Sequence, residues 1–187
     1  SAAYDWQLFS KEVSTATYPT LNGRLHLNNT LAALFDSYTV EVADNTFEWT
    51  GLASTFEYFN QNNTTYIAYC FAEKTGYSKF GTYTGNGSTN GPIVETGFEP
   101  AFVMIKRTDS TGVWVMLDNK RNLTNPRNSS LYANSSAQED TGSTSGFYPM
   151  NFYSNGFQPI QNTGDYNANN ATYIYMAFAE DPDTTSP

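Results

Sequence analysis

Few residues in this chain are equipped for bond chemistry. There is one histidine, His26, and one cysteine, Cys70. A nucleophile triad would need His26 as its base, yet Arg24-Leu25-His26-Leu27 reads as a strand, which makes His26 a packing residue. A single cysteine excludes an internal disulfide and any Cys-rich metal site. Two carboxylates about 5 to 10 Å apart suffice to hydrolyse a glycan, and Asp118 and Glu139 are the candidates, although their spacing does not set them apart from ordinary surface acids. Asp165-Tyr166-Asn167-Ala168-Asn169 opens like a calcium loop, because alternate Asp and Asn oxygens can converge on a hard cation. An EF-hand would continue with Gly at its sixth position and Glu at its twelfth; here those positions hold Asn170 and Met176. A polar loop before a strand is expected instead, with a weak calcium site on Asp165, Asn167 and Asn169 as the alternative; no cofactor is expected. Sugars are gripped by aromatic rings and amide side chains, and Trp49, Asn119 and Tyr132 are the candidate glycan contacts. Lys106-Arg107 and Lys120-Arg121 are isolated basic pairs. They read as solvated strand ends or as partners for a neighbouring subunit's carboxylates.

The elements that must carry these residues are strands. Of 187 residues, 16% are aromatic and only 14% charged, and Asn, Ser and Thr make up about a third. That mixture lacks the Glu, Lys, Ala and Leu of surface helices and suits short strands joined by turns, so the fold class expected is all-β. The net charge of -9 has the wrong sign for a general grip on nucleic acid or anionic lipid. No stretch approaches the 18 to 20 apolar residues of a membrane helix, and the first residues lack the basic and apolar parts of a signal peptide. Several Asn-x-Ser/Thr triplets occur, but a chain this rich in those residues produces them by chance.

An internal repeat organises the strands. Thr65-Tyr66-Ile67-Ala68-Tyr69-Cys70-Phe71-Ala72-Glu73 returns as Thr172-Tyr173-Ile174-Tyr175-Met176-Ala177-Phe178-Ala179-Glu180. The run from Asn22 to Asn28 aligns with that from Asn128 to Asn134, Trp6-Gln7-Leu8-Phe9 aligns with Trp114-Val115-Met116-Leu117, and Phe47 matches Phe157 more loosely. Order and spacing are nearly constant, as expected of two divergent copies of a unit of about 100 residues, the length of a β-sandwich. Residues 1–76 form the first copy and residues 77–187 the second, which ends in a short acidic tail. Strands are expected over 78–84, 92–96, 101–107, 113–118, 147–153, 156–161 and 172–180, with 101–107 and 113–118 in an antiparallel hairpin and a short strand near Leu131 in the loop-rich stretch 119–146. The repeated strand is apolar on both faces, which predicts a central position in both copies. Its large residues should face the core and its small ones a covering loop or neighbour. Cys70, in the slot of Ala177, is expected to be a small buried hydrophobe, and Trp6 and Trp114 to pack alike. The first copy lacks counterparts of roughly residues 78–108 and should expose a sheet edge, to be satisfied by an assembly contact.

Tyr66-Ile67-Ala68-Tyr69-Cys70-Phe71-Ala72-Glu73, Gly76-Tyr77-Ser78-Lys79-Phe80-Gly81, Tyr83-Thr84-Gly85-Asn86-Gly87-Ser88 and the run from Thr96 to Arg107 resemble a repeated β-rich module of tailed-bacteriophage structural proteins. Such modules occur in cyanophages and pelagiphages, often beside laminin-G-like domains. The resemblance covers about 64–117 and 154–180. It implies a jelly-roll or concanavalin-like antiparallel sandwich in a surface-exposed virion component: a tail fibre, a head fibre or a capsid decoration protein. The expectation is therefore a non-enzymatic virion protein that forms a homo-oligomer, a trimer being favoured, and that contacts other virion proteins and host-surface glycans. Nucleic acid and membrane are not expected partners. The alternatives are a virion glycan depolymerase and a cellular extracellular filament or adhesin subunit.

Overall fold

A computed structural model describes residues 5–50, 60–141 and 148–181. Part of the 119–146 stretch, the start of the strand expected from 147 and the acidic tail lie outside those residues. The described chain is all strand and loop. In order it forms β1 (Gln7–Phe9), β2 (Thr20–His26), β3 (Leu34–Val42), β4 (Phe47–Thr50), β5 (Ser78–Thr84), β6 (Val94–Glu95), β7 (Phe102–Arg107), β8 (Val115–Asp118), β9 (Leu131–Tyr132), β10 (Met150–Tyr153), β11 (Gly156–Pro159) and β12 (Thr172–Phe178). Every pairing is antiparallel.

Three sheets result, with orders β1-β2-β3-β4, β10-β11-β6 and β5-β12-β7-β8-β9. The five-stranded sheet is the middle layer, because period-two alternation sends its side chains into two different cores. Val103, Ile105, Val115, Leu117, Tyr173, Tyr175 and Ala177 meet Val94, Met150, Phe152 and Phe157 of the three-stranded sheet. From the opposite face Met104, Trp114 and Ile174 meet Val13, Leu25 and the partly buried Leu8 and Leu27 of the N-terminal part. β12 is therefore central, as its two apolar faces demand. The covering of its second face comes from within the chain, and it is Tyr173, Tyr175 and Ala177, rather than the expected Ile174, Met176 and Phe178, that face the main core.

The halves are also joined by polar links. The Gly112 amide donates to the Thr30 carbonyl at 2.9 Å and the Ala33 amide to the Thr108 carbonyl at 2.9 Å. The Trp114 indole Nε1 donates to the His26 carbonyl at 2.9 Å.

Corresponding strands in the two halves pair in the same register. Gln7 faces His26 and Leu8 faces Leu25 across β1 and β2, while Val115 faces Tyr132 and Met116 faces Leu131 across β8 and β9. These are the residues that the sequence repeat equates. The Trp6 amide donates to Asn28 Oδ1 at 2.9 Å, and the Trp114 amide to Asn134 Oδ1 at 2.8 Å. The Leu27 amide reaches the Trp6 carbonyl as the Ala133 amide reaches that of Trp114. The likeness does not extend through the whole topology. β2 continues into β3 and β4 within one sheet, whereas β9 is a sheet edge and β10 and β11 belong to another layer.

The largest departure from expectation lies at residues 65–73. Their sequence is close to that of β12, yet they form no strand. Ile67 and Tyr69 are each 70% exposed and Phe71 62%. Cys70 is exposed rather than buried. The reason is that a strand is a property of a pair: β12 lies between β5 and β7, and residues 65–73 have no such flanking strands among the described residues.

Candidate functional site

The residues singled out for chemistry are dispersed or already employed. Trp49, on edge strand β4, is half-buried and packs edge-on against Phe9 and Phe47, with ring centroids 5.1 and 6.0 Å away. Asn119 follows the last residue of β8, where its Nδ2 donates to Glu180 Oε2 at 3.3 Å. Tyr132 pairs with Val115 at the other end of β8, about 13 Å along at 3.3 Å per residue. Its hydroxyl donates to Asp140 Oδ2 at 3.4 Å, its ring lies edge-on to Tyr148, and burial pushes its phenol up. These three candidate sugar contacts therefore occupy three places, one on the edge of the four-stranded sheet and two at opposite ends of β8.

The calcium-like run is spent on loop architecture. Asp165 Oδ1 accepts from the Val113 amide at 3.0 Å and Oδ2 accepts from the Tyr148 hydroxyl. Asn167 is fully buried; its Oδ1 accepts from the Asn86 amide, and its Nδ2 donates to the carbonyls of Ser88 and Gln161. Asn169 is exposed. The oxygens thus turn to separate partners instead of converging. Among the described residues no group of three or more His, Cys, Asp and Glu side chains could hold a metal ion.

Asp118 and Glu139 do come together, with Arg121 between them. Its Nε lies 2.5 Å from Asp118 Oδ2 and its Nη1 3.0 Å from Glu139 Oε1. Burial pushes Asp118 up, but the amide and guanidinium of Arg121 and the amide of Lys120 outweigh it and hold the carboxyl below its usual range. That suits an ion-pair anchor and opposes a proton-donating acid.

The remaining basic residues also find partners inside the chain. Lys120 pairs with Glu180, and Arg107 with Asp109 at 2.7 Å. Lys106 is neither solvated nor at an interface with another subunit. It is fully buried, its Nζ donating to the carbonyls of Arg107 at 2.6 Å and Thr30 at 3.4 Å. Burial pushes its ammonium down to about 8 despite the pull of Asp165. His26 is buried as a packing residue should be, with Arg24 Nη1 2.8 Å from its Nε2 and Asn29 Nδ2 2.8 Å from its Nδ1.

What stands out instead is an apolar surface that the sequence assigned to a core. Trp6 is 52% exposed, while its repeat counterpart Trp114 is 2% exposed. Its ring lies 6.2 Å from that of Tyr69, so β1 and residues 65–73 are neighbours. Phe71 touches Phe80 and Phe178 at 6.4 and 6.1 Å. The lower end of the segment is pinned: Ser78 Oγ donates to the Ala72 carbonyl at 2.9 Å, and Glu73 lies 3.3 Å from Lys79 Nζ and 3.8 Å from Lys11 Nζ. Burial pushes Glu73 up, but the Phe80 amide and these two lysines hold it below its usual range. β1 is the edge of its sheet, and no described strand lies between it and residues 65–73. Sequence reasoning did predict an open edge in the first half. The exposure of the repeated strand itself was not expected; its signal is the lack of flanking strands among the described residues.

No curated protein and no solved structure matches the chain. A family model does match residues 1–182, spanning both halves, and the chain belongs to that family, described as Domain of unknown function (DUF7483).

Proposed function

We propose that this chain is a non-enzymatic structural protein of a bacteriophage particle, displayed at the surface as a fibre or capsid-decoration component and assembled as a homo-oligomer, a trimer being favoured. The observation that carries the assembly part is the exposed apolar run 65–73 beside the open edge of β1, in a chain whose other strands are mostly paired and packed. A contiguous apolar patch of this kind marks an interaction surface. The viral part is supported by the resemblance of residues 64–117 and 154–180 to phage structural modules. Host-surface glycans remain the proposed outer ligand, met by surface residues such as Trp49. The state of Asp118, clamped by Arg121 and held ionised, favours this reading over a depolymerase, which needs one carboxyl raised to act as acid.

The test is to locate the chain in purified particles by cryo-electron microscopy. Density at the head or tail surface is the expected result, many copies indicating decoration and a few trimers a fibre. Particles that lack the chain would overturn the viral assignment.

A further inference from the structure

We propose that the gap between β1 and residues 65–73 is a slot for one extended strand of the β7 type, supplied by another copy of this repeated unit. The inference rests on the assembly part of the reading above and is independent of whether the particle is viral.

In the C-terminal half β7 lies between β8 and β12, antiparallel to both. The repeat equates β8 with β1 and β12 with residues 65–73, and β1 meets β2 in the register in which β8 meets β9. Both walls of the slot are thus present, and the strand that would occupy it is absent among the described residues. Apolar side chains of the two walls also gather on one face in both halves. Trp114 and Met176 share one apolar cluster in the complete half, and their counterparts Trp6 and Tyr69 have their rings 6.2 Å apart in the open half.

The correspondence fixes the register of the incoming strand. Met104 pairs with Met116 on one side and Met176 on the other, so the residue in its place would lie between Leu8 and Tyr69. Val103 pairs with Leu117 and Ala177, so its equivalent would lie between Phe9 and Cys70. The occupant must be apolar on both faces, as Phe102, Val103, Met104 and Ile105 are, because both walls present apolar side chains. Main-chain hydrogen bonds to two edges would supply affinity and the alternating side chains specificity, as in other cases of strand addition. Ala177 is fully buried in the complete half while Cys70 is exposed in the open one. Filling the slot would set beside Cys70 the in-sheet neighbour that Val103 provides for Ala177, and should shield the thiol from that side.

The probe is a synthetic peptide with the sequence of residues 99–108, added to the purified full chain. The readout is the rate at which a maleimide alkylates Cys70, the chain's single cysteine. Saturable protection of tenfold or more is expected. A scrambled peptide, and one carrying Met104→Pro, which removes an amide from the strand's centre, should leave the rate unchanged. Chain carrying Tyr69→Asp alters an exposed residue, so its fold should persist while protection by the native peptide is lost. Equal alkylation with and without the native peptide, or equal protection by the scrambled one, would overturn the slot. Neither result depends on where the chain resides in a particle.

Discussion

Lys106 shows how strongly position overrides residue type. A lysine at a strand end is ordinarily a solvated charge, but here it is fully buried where β7 meets the loop carrying Thr30, and two carbonyls accept hydrogen bonds from its ammonium. The depressed ammonium has a definite sign in stability. The folded state releases its proton near pH 8 and the unfolded chain near pH 10.5, so between those values the unfolded state binds more protons and stability rises with pH. Below pH 8 the burial cost is carried in full. Lys106→Met keeps the apolar stem and removes the charge, so at pH 7 it should leave the chain as stable or more stable, by up to about 2 kcal/mol. Urea unfolding across pH 7 to 10.5 checks this, the two proteins converging as pH rises. A constant difference would show that the charge is not its source.

Among the elements, glycine contacts discriminate packing from backbone strain. β11 sits between β10 and β6, and a Cβ on Gly156 would fall 2.1 Å from the Val94 carbonyl oxygen. That neighbour is backbone paired within the sheet and cannot yield cheaply. Gly156→Ala should therefore cost about 2–3 kcal/mol. Gly97 has a positive φ of 86° but nothing within 4 Å of its Cβ position, so Gly97→Ala should cost only about 1 kcal/mol. Thermal midpoints of the two variants decide the order; equal losses would mean that the Val94 contact relaxes.

The elements also show why part of the fold was legible and part was not. Residues 78–84, 102–107, 115–118 and 172–178 carry strong β-formers between turn residues, and each became a strand within a residue or two of expectation. The 65–73 segment has the same local signal. It has no flanking strands among the described residues, a circumstance that its own local sequence does not reveal. Asp165 and Asn167 were visible as a polar cluster, but their partners at Val113, Asn86 and Ser88 are distant in the chain, so their structural duty was invisible before folding. The buried state of Lys106 was hidden likewise, since it depends on a loop from the other half.

Over the whole molecule, the aromatic content that first suggested strands also sets its alkaline limit. Tyr83 stacks on Tyr173 with centroids 5.0 Å apart, and Tyr148 meets both Tyr132 and Tyr166 edge-on. Burial raises the phenols of Tyr83, Tyr132, Tyr148, Tyr166 and Tyr173, and pushes Tyr175 up to about 12. Raised folded values mean that the unfolded chain loses its phenol protons first, near pH 10. The stability these groups contribute is complete below that pH and is lost as pH climbs above 10, each group adding to the loss until its own raised folded value is passed. Urea midpoints should fall steeply above pH 10, with tyrosinate absorbance at these positions appearing together with unfolding. Full tyrosinate absorbance in a still-folded chain would contradict the burial of those rings.

The indole of Trp114 reaches across the layers to a main-chain oxygen rather than to a side chain. Such a joint is indifferent to inheritance at the position it grips, since every amino acid at 26 would offer the same carbonyl. The side chain at 26 could change without loosening the seam between the halves. The joint between the halves is thus written in backbone geometry, and it makes no demand on the side chain above it.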